Sequence, residues 1–500
     1  MKVTVIMVLC CFLALTATCL SKQVKEHTTV KIYQTSKSGD KVALKKSLLL
    51  STLKKVNTPI ITLSPNKTYQ QIEGFGGAFT QSSASVLNKL SPKKRKEVID
   101  YYFRSDKAGY TLTRTHINSC DFSTENYAYD TTAGDKELKD FSIARDKEDI
   151  IPLIQDAMKC QGAKFKILAS PWTAPPWMKD NHAWNNGSLL PEYYSTWALY
   201  FSKYIQEYEK QGIPIWAITI QNEPENNSGL WEMMIFTPTS MKDFMKNHLI
   251  PRFQKDRLKT KLVIYDHNRD HVKPWTDALL GDPELAKYVW GTAVHWYSST
   301  IDWYPDVLND IHQKYPDKKI MQTEGCIDSE KPRWKNDAWY WEKEAKDWGY
   351  VYAPEADKPL HPQYVPVYRY ACDIIGGLNS WLVGWIDWNM VLDTQGGPNH
   401  AKNWCVAPVI AKPETDEVYY TPLYYVMEHF SKYFRPGAYR IGVSSDLKDL
   451  MITACKNTDG TIAIALLNQK DHAVEYTISI GNKMVSSIID GNALQTVLIE

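Results

Sequence analysis

Short apolar segments alternate with helix-length segments between residues 70 and 410, and this alternation limits the fold more than any other feature of the sequence. Eight predicted strands span residues 74–80, 110–118, 165–172, 215–223, 261–268, 291–297, 319–325 and 380–389. Strands that are buried on both faces are near-continuous apolar runs, and a helix after each strand is typical of a parallel barrel. We therefore predict an α/β fold with a (β/α)8 TIM barrel over residues 70–412.

Helix signals in the same region support the alternation. Ser91-Pro92 predicts a helix start, because Ser is a favoured N-cap and Pro a favoured first helical residue. A later helix, which Pro191 opens and Gly212 ends, carries aromatic residues at helical spacing. These aromatic residues are Trp197, Phe201, Tyr204 and Tyr208. We predict that they form one apolar stripe that faces the barrel, and not a cofactor site.

A region of different character follows the barrel. After one short helical segment the chain alternates apolar and polar residues around Asp459-Gly460, which is a hairpin signal. Residues 413–500 are therefore predicted to form an antiparallel β-sandwich. Residues 22–69 are predicted to add N-terminal strands to it, because Val30 and Ile32 alternate with polar residues.

The N-terminus has the pattern of a secretory signal. One Lys precedes an apolar run and small residues within residues 1–21, which is typical of a cleaved signal peptide. We therefore expect a secreted or extracytoplasmic protein. A lipid anchor at Cys19 is the alternative, although Thr18 is a poor residue to precede a lipidated cysteine. No other apolar run is long enough for a transmembrane segment.

Composition excludes several other classes. The formal net charge of +1 gives no argument for a nucleic-acid partner. The nine cysteines include no CxxC pair, so that neither a disulfide scaffold nor a zinc ribbon is expected. We expect free buried thiols instead. Asparagine sequons occur at Asn66, Asn186 and Asn226.

Two glutamates end predicted strands of the barrel. Glu223 ends the fourth strand in QNEPE, and Glu324 ends the seventh strand in TEGC. Side chains at the carboxyl ends of barrel strands face the active site, and the fourth and seventh strands lie opposite each other. A carboxyl pair of this kind suits glycoside hydrolysis, with retention at a separation of about 5–5.5 Å and inversion at about 6.5–9.5 Å. The sequence leaves this separation open.

Further motifs extend this interpretation to nearly the whole chain after the signal segment. They are GFGGAFT, SCDFS, ASPWTAPPW, QNEPE, AVHWY, TEGC, GWIDWN and GGPNHAKNW, in that order. In these motifs the chain resembles glycoside hydrolase family 30, which contains glucosylceramidases and microbial β-glucanases. The resemblance implies a retaining β-glycosidase that uses two glutamates and no cofactor.

The resemblance also assigns roles. It implies that Glu223 is the acid/base and Glu324 the nucleophile. The remaining sugar-binding residues that it implies are Asn222, beside the reacting carbon, Asp121 and Trp172, at the far end of the sugar, and Trp388 and Asn403. On physical grounds the acid/base needs a raised pKa, and the nucleophile must stay ionised. The polar residues expected to hold Glu324 ionised are Arg114, His295 and Tyr297.

Each assignment has a structural alternative. Glu223 before Pro could cap a helix, Asp121 could be a turn residue, and Arg114 could belong to a structural ion pair. Trp296 and Trp385 could be packed or could contact sugar. His267 and His271 are four residues apart, but at a strand end this spacing does not converge two ligands, so that no metal site is predicted.

The substrate remains open between two β-glucosides. Glucosylceramidase-like activity, and with it a place in sphingolipid metabolism, is the first expectation. After QNEPE the chain lacks the longer insertion that is associated with lysosomal-type glucosylceramidases. Residues 331–364 are predicted to form a long Trp-rich loop after the nucleophile strand. Loops at this face determine specificity, so that endo-β-1,6-glucanase activity is the alternative. A non-catalytic carbohydrate-binding protein is a remote alternative, because such a protein needs no glutamate pair and this chain has both glutamates.

Overall fold

A computed structural model describes residues 29–52, 56–328, 331–333, 335–336, 356 and 366–500. The predicted signal peptide, Cys19 and most of the predicted loop 331–364 lie outside these residues. Among the described residues, no helix combines the length and the apolar character that crossing a bilayer requires.

The described part of the chain contains a long series of strands and helices. The strands are β1 Thr29–Ser36, β2 Ala43–Leu49, β3 Ile60–Gln71, β4 Gly74–Phe79, β5 Leu112–Ile117, β6 Lys166–Pro171, β7 Ala217–Thr219, β8 Lys261–Asn268, β9 Val289–His295, β10 Lys319–Glu324, β11 Leu382–Asp387, β12 Val391–Asp393, β13 Val409–Lys412, β14 Glu417–Tyr420, β15 Tyr439–Ser445, β16 Leu450–Lys456, β17 Ile462–Asn468, β18 Val474–Ile480, β19 Lys483–Ile489 and β20 Ala493–Ile499. The helices are α1 Gln81–Asn88, α2 Pro92–Phe103, α3 Ile150–Met158, α4 Tyr194–Lys210, α5 Pro238–Phe244, α6 Ile250–Lys255, α7 Val272–Leu280, α8 Pro283–Ala286, α9 Pro305–Lys314, α10 Pro366–Asn379 and α11 Pro422–Tyr433.

Strands β4 to β11 close into a parallel barrel, with β11 beside β4. The eight strands are those that the sequence predicts, so that the barrel is confirmed. β7 is shorter than predicted and ends at Thr219. Beyond the strand the chain turns, and Glu223 has a left-handed backbone with a φ of 46°.

The barrel interior is filled with side chains below the carboxyl ends of its strands. One cluster takes at least one residue from each strand from β5 to β11. Its members are Leu112, Leu168, Ala217, Val263, Ala293, Met321, Val383 and Ile386. A packed layer of this kind is usual in TIM barrels and leaves only the mouth open to a ligand.

The helix predictions are also confirmed. Ser91 caps α2 by accepting a hydrogen bond from the Lys94 backbone nitrogen, and Pro92 is the first helical residue. The aromatic stripe on α4 is fully buried, at Trp197, Phe201, Tyr204 and Tyr208. These side chains belong to the main hydrophobic core around the barrel.

A nine-stranded sheet lies beside the barrel. Its order is β19-β18-β3-β15-β16-β17-β20-β1-β2, and it is antiparallel except where β18 pairs with β3. The hairpin predicted at Asp459-Gly460 joins β16 and β17. Side chains from both ends of the strand order share one core, among them Ile32, Val497, Ile478 and Val485. The sheet therefore folds over itself as a sandwich.

Helix α11 joins the sandwich to the barrel. His429 on this helix is buried and makes hydrogen bonds of 2.8 Å to Thr496 and 3.0 Å to Thr35, on β20 and β1. Burial lowers the pKa of His429 to about 3, so that the ring is neutral and can donate at one nitrogen and accept at the other. The N-terminal and C-terminal strands of the sandwich are thus held to one helix.

We expect Gly76→Ala to destabilise the barrel severely. A Cβ at Gly76 would lie 1.9 Å from the carbonyl oxygen of Leu112, so that β4 and β5 would have to separate. The free energy of unfolding should fall by about 3 kcal/mol or more. Gly481→Ala is the control, since its φ of +59° is strained but the space around it is open, and it should cost about 1 kcal/mol. Equal falls in the thermal midpoint of both variants would contradict the described barrel packing.

Candidate active site

A cavity of about 370 Å³ opens at the carboxyl ends of the barrel strands. Eight of the ten predicted site residues line it: Asp121, Trp172, Asn222, Glu223, Tyr297, Glu324, Trp388 and Asn403. The other two, Arg114 and His295, are fully buried and contact the lining residues from below. The structure thus brings all ten residues into one region.

Glu223 reaches the cavity from the turn that follows β7. Its backbone nitrogen donates to the Asp266 carbonyl at 2.9 Å, which fixes the turn. Its carboxylate contacts His295 Nδ1 at 3.2 Å through Oε1 and accepts from Asn226 Nδ2 at 2.9 Å through Oε2. The next helix, α5, is capped by Thr237. The helix-cap alternative for Glu223 is therefore wrong.

Glu324 is held by two different donors. The guanidinium of Arg114 donates to Oε2, and the hydroxyl of Tyr297 donates to Oε1 at 3.1 Å. Glu324 is the last residue of β10, Arg114 lies within β5, and Tyr297 follows β9. The predicted contacts of Arg114 and Tyr297 with this glutamate are present. Arg114 is thus an ion-pair partner within the site.

Asp266, which the sequence interpretation missed, links the two glutamates. This buried carboxylate accepts hydrogen bonds from side chains on four strands. The donors are Arg114 at 2.7 Å, Thr219 at 2.7 Å, Thr323 at 2.6 Å and His295 at 2.9 Å. The available signal was a carboxylate near the end of an apolar strand, in YDHN, which is the same signal that identified Glu223 and Glu324.

His295 differs from its prediction in part: its hydrogen-bond contacts are with Glu223 and Asp266 and not with Glu324, but its charge favours the ionised form of Glu324, as expected. Burial disfavours the charged ring, but the three surrounding carboxylates raise the pKa of His295 to about 9. A single proton therefore lies at the contact between His295 Nδ1 and Glu223 Oε1. The correction has a geometric cause: β9 lies between β8 and β10, and His295 turns toward β8.

The pKa values of the two glutamates also differ from expectation. Burial disfavours the carboxylate, but contacts with His267 and His295 hold the pKa of Glu223 well below its usual range. Burial, together with the Glu223 charge, raises the pKa of Glu324, and the charges of His295 and Arg114 oppose this rise. The sequence predicted a raised pKa for the acid/base. The reversal arises because two histidines from neighbouring strands face Glu223, which the sequence did not show.

Two tryptophans form one wall of the cavity. Trp172 and Trp388 stack with ring centroids 5.0 Å apart and planes 17° apart. Asp121 lies at the same cavity, where Oδ2 accepts from Asn403 at 2.9 Å and Oδ1 has no partner among the described residues. An unpartnered buried acceptor is costly unless a ligand satisfies it. Asp121 is therefore more than a turn residue.

The remaining alternatives are also decided by position. Trp296 and Trp385 are buried against each other and outside the cavity lining, so that they are packing residues. His271 is exposed and lies 3.3 Å from Glu225, away from His267. His267 instead lies 3.7 Å from Glu223, and these two residues with His295 place three ligand-type atoms within 4.8 Å of one another. The sequence did not predict this cluster.

Comparisons with known proteins identify the family. A model of the glycosyl hydrolase family 30 TIM-barrel domain matches residues 72–349 and 362–434, and a model of the family 30 beta sandwich domain matches residues 437–497. The chain belongs to glycosyl hydrolase family 30. This membership confirms the predicted family, fold class and glycoside hydrolase activity.

Three similar proteins, one compared by sequence and two by structure, match this family 30 enzyme over most of its length. The lysosomal acid glucosylceramidase of Mus musculus is 33% identical, over 84% of this chain and 79% of that protein. The structure of SrfJ from Salmonella typhimurium matches with a TM-score of 0.84 and 28% identity, over 94% of this chain and 99% of that one. The endo-beta1,6-glucanase BT3312 matches with a TM-score of 0.79 and 28% identity, over the same shares.

We expect Asp266→Asn to reduce kcat/KM by about 100-fold or more, because Arg114 and His295 lose the carboxylate that orients both. The thermal midpoint should also fall, since the buried guanidinium of Arg114 loses one of its two carboxylate partners. Asp270→Asn is the matched control: Asp270 follows the same strand, its side chain is 39% exposed, and its variant should keep its activity. Comparable activity in both variants, measured with a chromogenic glycoside, would rule out this role for Asp266.

Proposed function

We propose that this enzyme is a retaining β-glucosidase in which Glu324 is the nucleophile and Glu223 the acid/base. The observation that carries the proposal is the presence of both carboxyl groups in one cavity with different partners. Arg114 and Tyr297 hold Glu324, whereas His295 and Asn226 hold Glu223. Among these partners, only His295, beside Glu223, belongs to a residue type that exchanges its proton readily near neutral pH.

In the first step, Glu324 attacks the anomeric carbon and Glu223 protonates the leaving oxygen. The bond to the leaving group breaks as the bond to Glu324 forms, and the anomeric centre inverts. The proton that Glu223 gives is the one that it shares with His295, so that Glu223 is ionised when this step ends. In the second step, Glu223 accepts a proton from water, which displaces Glu324 with a second inversion. The released sugar keeps the β configuration.

The remaining cavity residues would bind the sugar. Asn222, whose Oδ1 accepts from Arg114 at 2.8 Å, would contact the hydroxyl beside the reacting carbon. Asp121 and Asn403 would bind hydroxyls at the far end of the sugar. Oδ1 of Asp121, which has no partner among the described residues, could accept a hydrogen bond from one of these hydroxyls. The flat wall that Trp172 and Trp388 form suits the apolar face of a pyranose.

We propose a glucosylceramide-type glycolipid as the substrate, in an enzyme exported by residues 1–21. The 33% identity to a glucosylceramidase over most of both chains supports this choice. A specific observation favours a β-1,6-glucan as the second candidate. The part of the lining around Glu223 is polar, with Asn226, Asn227, Ser228 and Asn268, which can hydrogen-bond a second sugar.

The proposed roles predict different behaviour of two variants. Glu324→Gln should lose turnover on every substrate by several orders of magnitude, because no glycosyl-enzyme can form. Glu223→Gln should still release dinitrophenol, which needs no protonation, and should then accumulate the glycosyl-enzyme. Azide should rescue Glu223→Gln and yield a β-glycosyl azide, whereas Glu324→Ala with azide should yield the α-azide.

Proton NMR of the azide products decides between the outcomes. Wild-type enzyme is the control and should release the β-sugar first. If both variants gave the same anomer, the assigned roles would be wrong. If the wild type released the α-sugar first, the retaining mechanism itself would be excluded.

The substrate proposal is tested by hydrolysis of glucosylceramide in detergent and of the β-1,6-glucan pustulan, at equal concentrations of glucosyl units. We expect faster release of glucose from glucosylceramide. Faster cleavage of pustulan would reject the first candidate in favour of the second. Glu324→Gln serves as the control for non-enzymatic release with both substrates.

A further inference from the structure

Three side chains around the acid/base have the arrangement of a metal-binding site. Glu223, His267 and His295 each offer one ligand atom, and all three atoms lie within 4.8 Å of one another. They come from the ends of three adjacent parts of the barrel, β7, β8 and β9. We propose that these residues form a site for a single zinc-type divalent cation, which inhibits the enzyme reversibly by occupying its acid/base.

The distances between the ligand atoms fit zinc. Tetrahedral zinc with bonds of about 2.0–2.1 Å to nitrogen and oxygen separates neighbouring ligand atoms by about 3.3–3.4 Å. Glu223 Oε1 lies 3.2 Å from His295 Nδ1 and 3.7 Å from His267 Nδ1. The two histidine nitrogens lie within 4.8 Å of each other, so that rotation of the side chains would bring all three ligand atoms to zinc distances. The fourth position would open into the substrate cavity, which Glu223 and His267 both line.

Hydrogen bonds around the cluster leave the required atoms available. His295 uses Nε2 on Asp266, and so directs Nδ1 toward Glu223. Glu223 uses Oε2 on Asn226 and keeps Oε1 for the two histidines. His267 Nδ1 is shielded from solvent and has no hydrogen-bond partner among the described residues. A carboxylate behind a ligating histidine is the usual outer contact of protein metal sites.

The local charge also favours a divalent cation. Asp266 and Glu324 pair with the guanidinium of Arg114, and the carboxylate of Glu223 contacts His295. Once a cation displaces the proton of His295, the three carboxylates exceed the one guanidinium by two negative charges, which one divalent ion balances. Two imidazole ligands select zinc or copper over magnesium and calcium, which prefer oxygen.

Metal binding and the proposed catalysis exclude each other. A cation bound to Glu223 Oε1 and His295 Nδ1 displaces the proton that these two atoms share. Glu223 then has no proton to give to the leaving oxygen. The inference rests on the proposed acid/base role for its inhibitory effect, but the binding of the metal does not depend on that role.

The test begins with enzyme treated with EDTA and then freed of the chelator. Calorimetric titration with zinc should show one equivalent bound, and cobalt should give a visible absorption band of tetrahedral geometry. His267→Gln should weaken zinc binding at least tenfold and lose the cobalt band. His271→Gln is the matched control, since this exposed histidine of the same segment lies outside the cluster, and it should bind zinc like the wild type.

Activity gives the second measurement. Zinc should inhibit the wild type and the His271→Gln variant with the same midpoint, and addition of EDTA should restore the activity. For His267→Gln, the rate with zinc is compared with the rate of the same variant without zinc. The zinc concentration that gives half-maximal inhibition should rise at least tenfold. Calcium and magnesium should not inhibit. Activation by zinc instead of inhibition would overturn the proposal.

A competing zinc site must be separated from this one. Cys326 and Cys405 also line the cavity, with sulfur atoms 3.4 Å apart. Cys405→Ser should leave zinc binding unchanged. If it abolished binding while His267→Gln did not, the cluster at Glu223 would not be the site. If zinc bound as expected but no glycoside were cleaved, the proposed function would fail and the metal site would stand.

Discussion

The buried ion pair between Asp266 and Arg114 is the interaction on which the rest of the site depends. Both side chains are fully buried, and their atoms approach to 2.7 Å. Arg114 also donates hydrogen bonds to Glu324 and Asn222. Asp266 also contacts His295, which in turn contacts Glu223. Loss of either partner would remove an ion pair and its hydrogen bonds from fully buried charged groups, which is strongly unfavourable. The two glutamates are therefore positioned by one shared pair.

This arrangement explains how two residues of the same type acquire different properties. Glu324 receives its contacts from Arg114 and Tyr297, which carry no proton that is exchanged at neutral pH. Glu223 faces two histidines, the residues whose charge changes most readily near neutral pH. The difference arises from the neighbouring strands and not from the glutamates. It is also what makes Glu223, and not Glu324, the centre of the proposed metal site.

The barrel supplies the rigidity that such contacts require. The apolar layer below the site closes its interior, and the close approach of β4 and β5 at Gly76 leaves no room for a side chain. Well-packed interiors resist small displacements, so that side chains at the strand ends hold their separations. The sandwich, through His429 on α11, supports the helix layer outside β4.

The sequence by itself determined the barrel strands, the hairpin of the sandwich and the position of both glutamates at the carboxyl side of the barrel, although Glu223 lies four residues beyond the end of β7. These features depend on local periodicity and on turn residues, which a single chain segment carries. Only the tertiary structure decided that Asp266 is the centre of the polar contacts, that His295 faces Glu223, that Trp172 stacks on Trp388, and that His267 lies 3.7 Å from Glu223. Each of these contacts joins side chains from different strands, loops or turns. Their pairing depends on the order and register in which the barrel closes, which no local pattern of residues records.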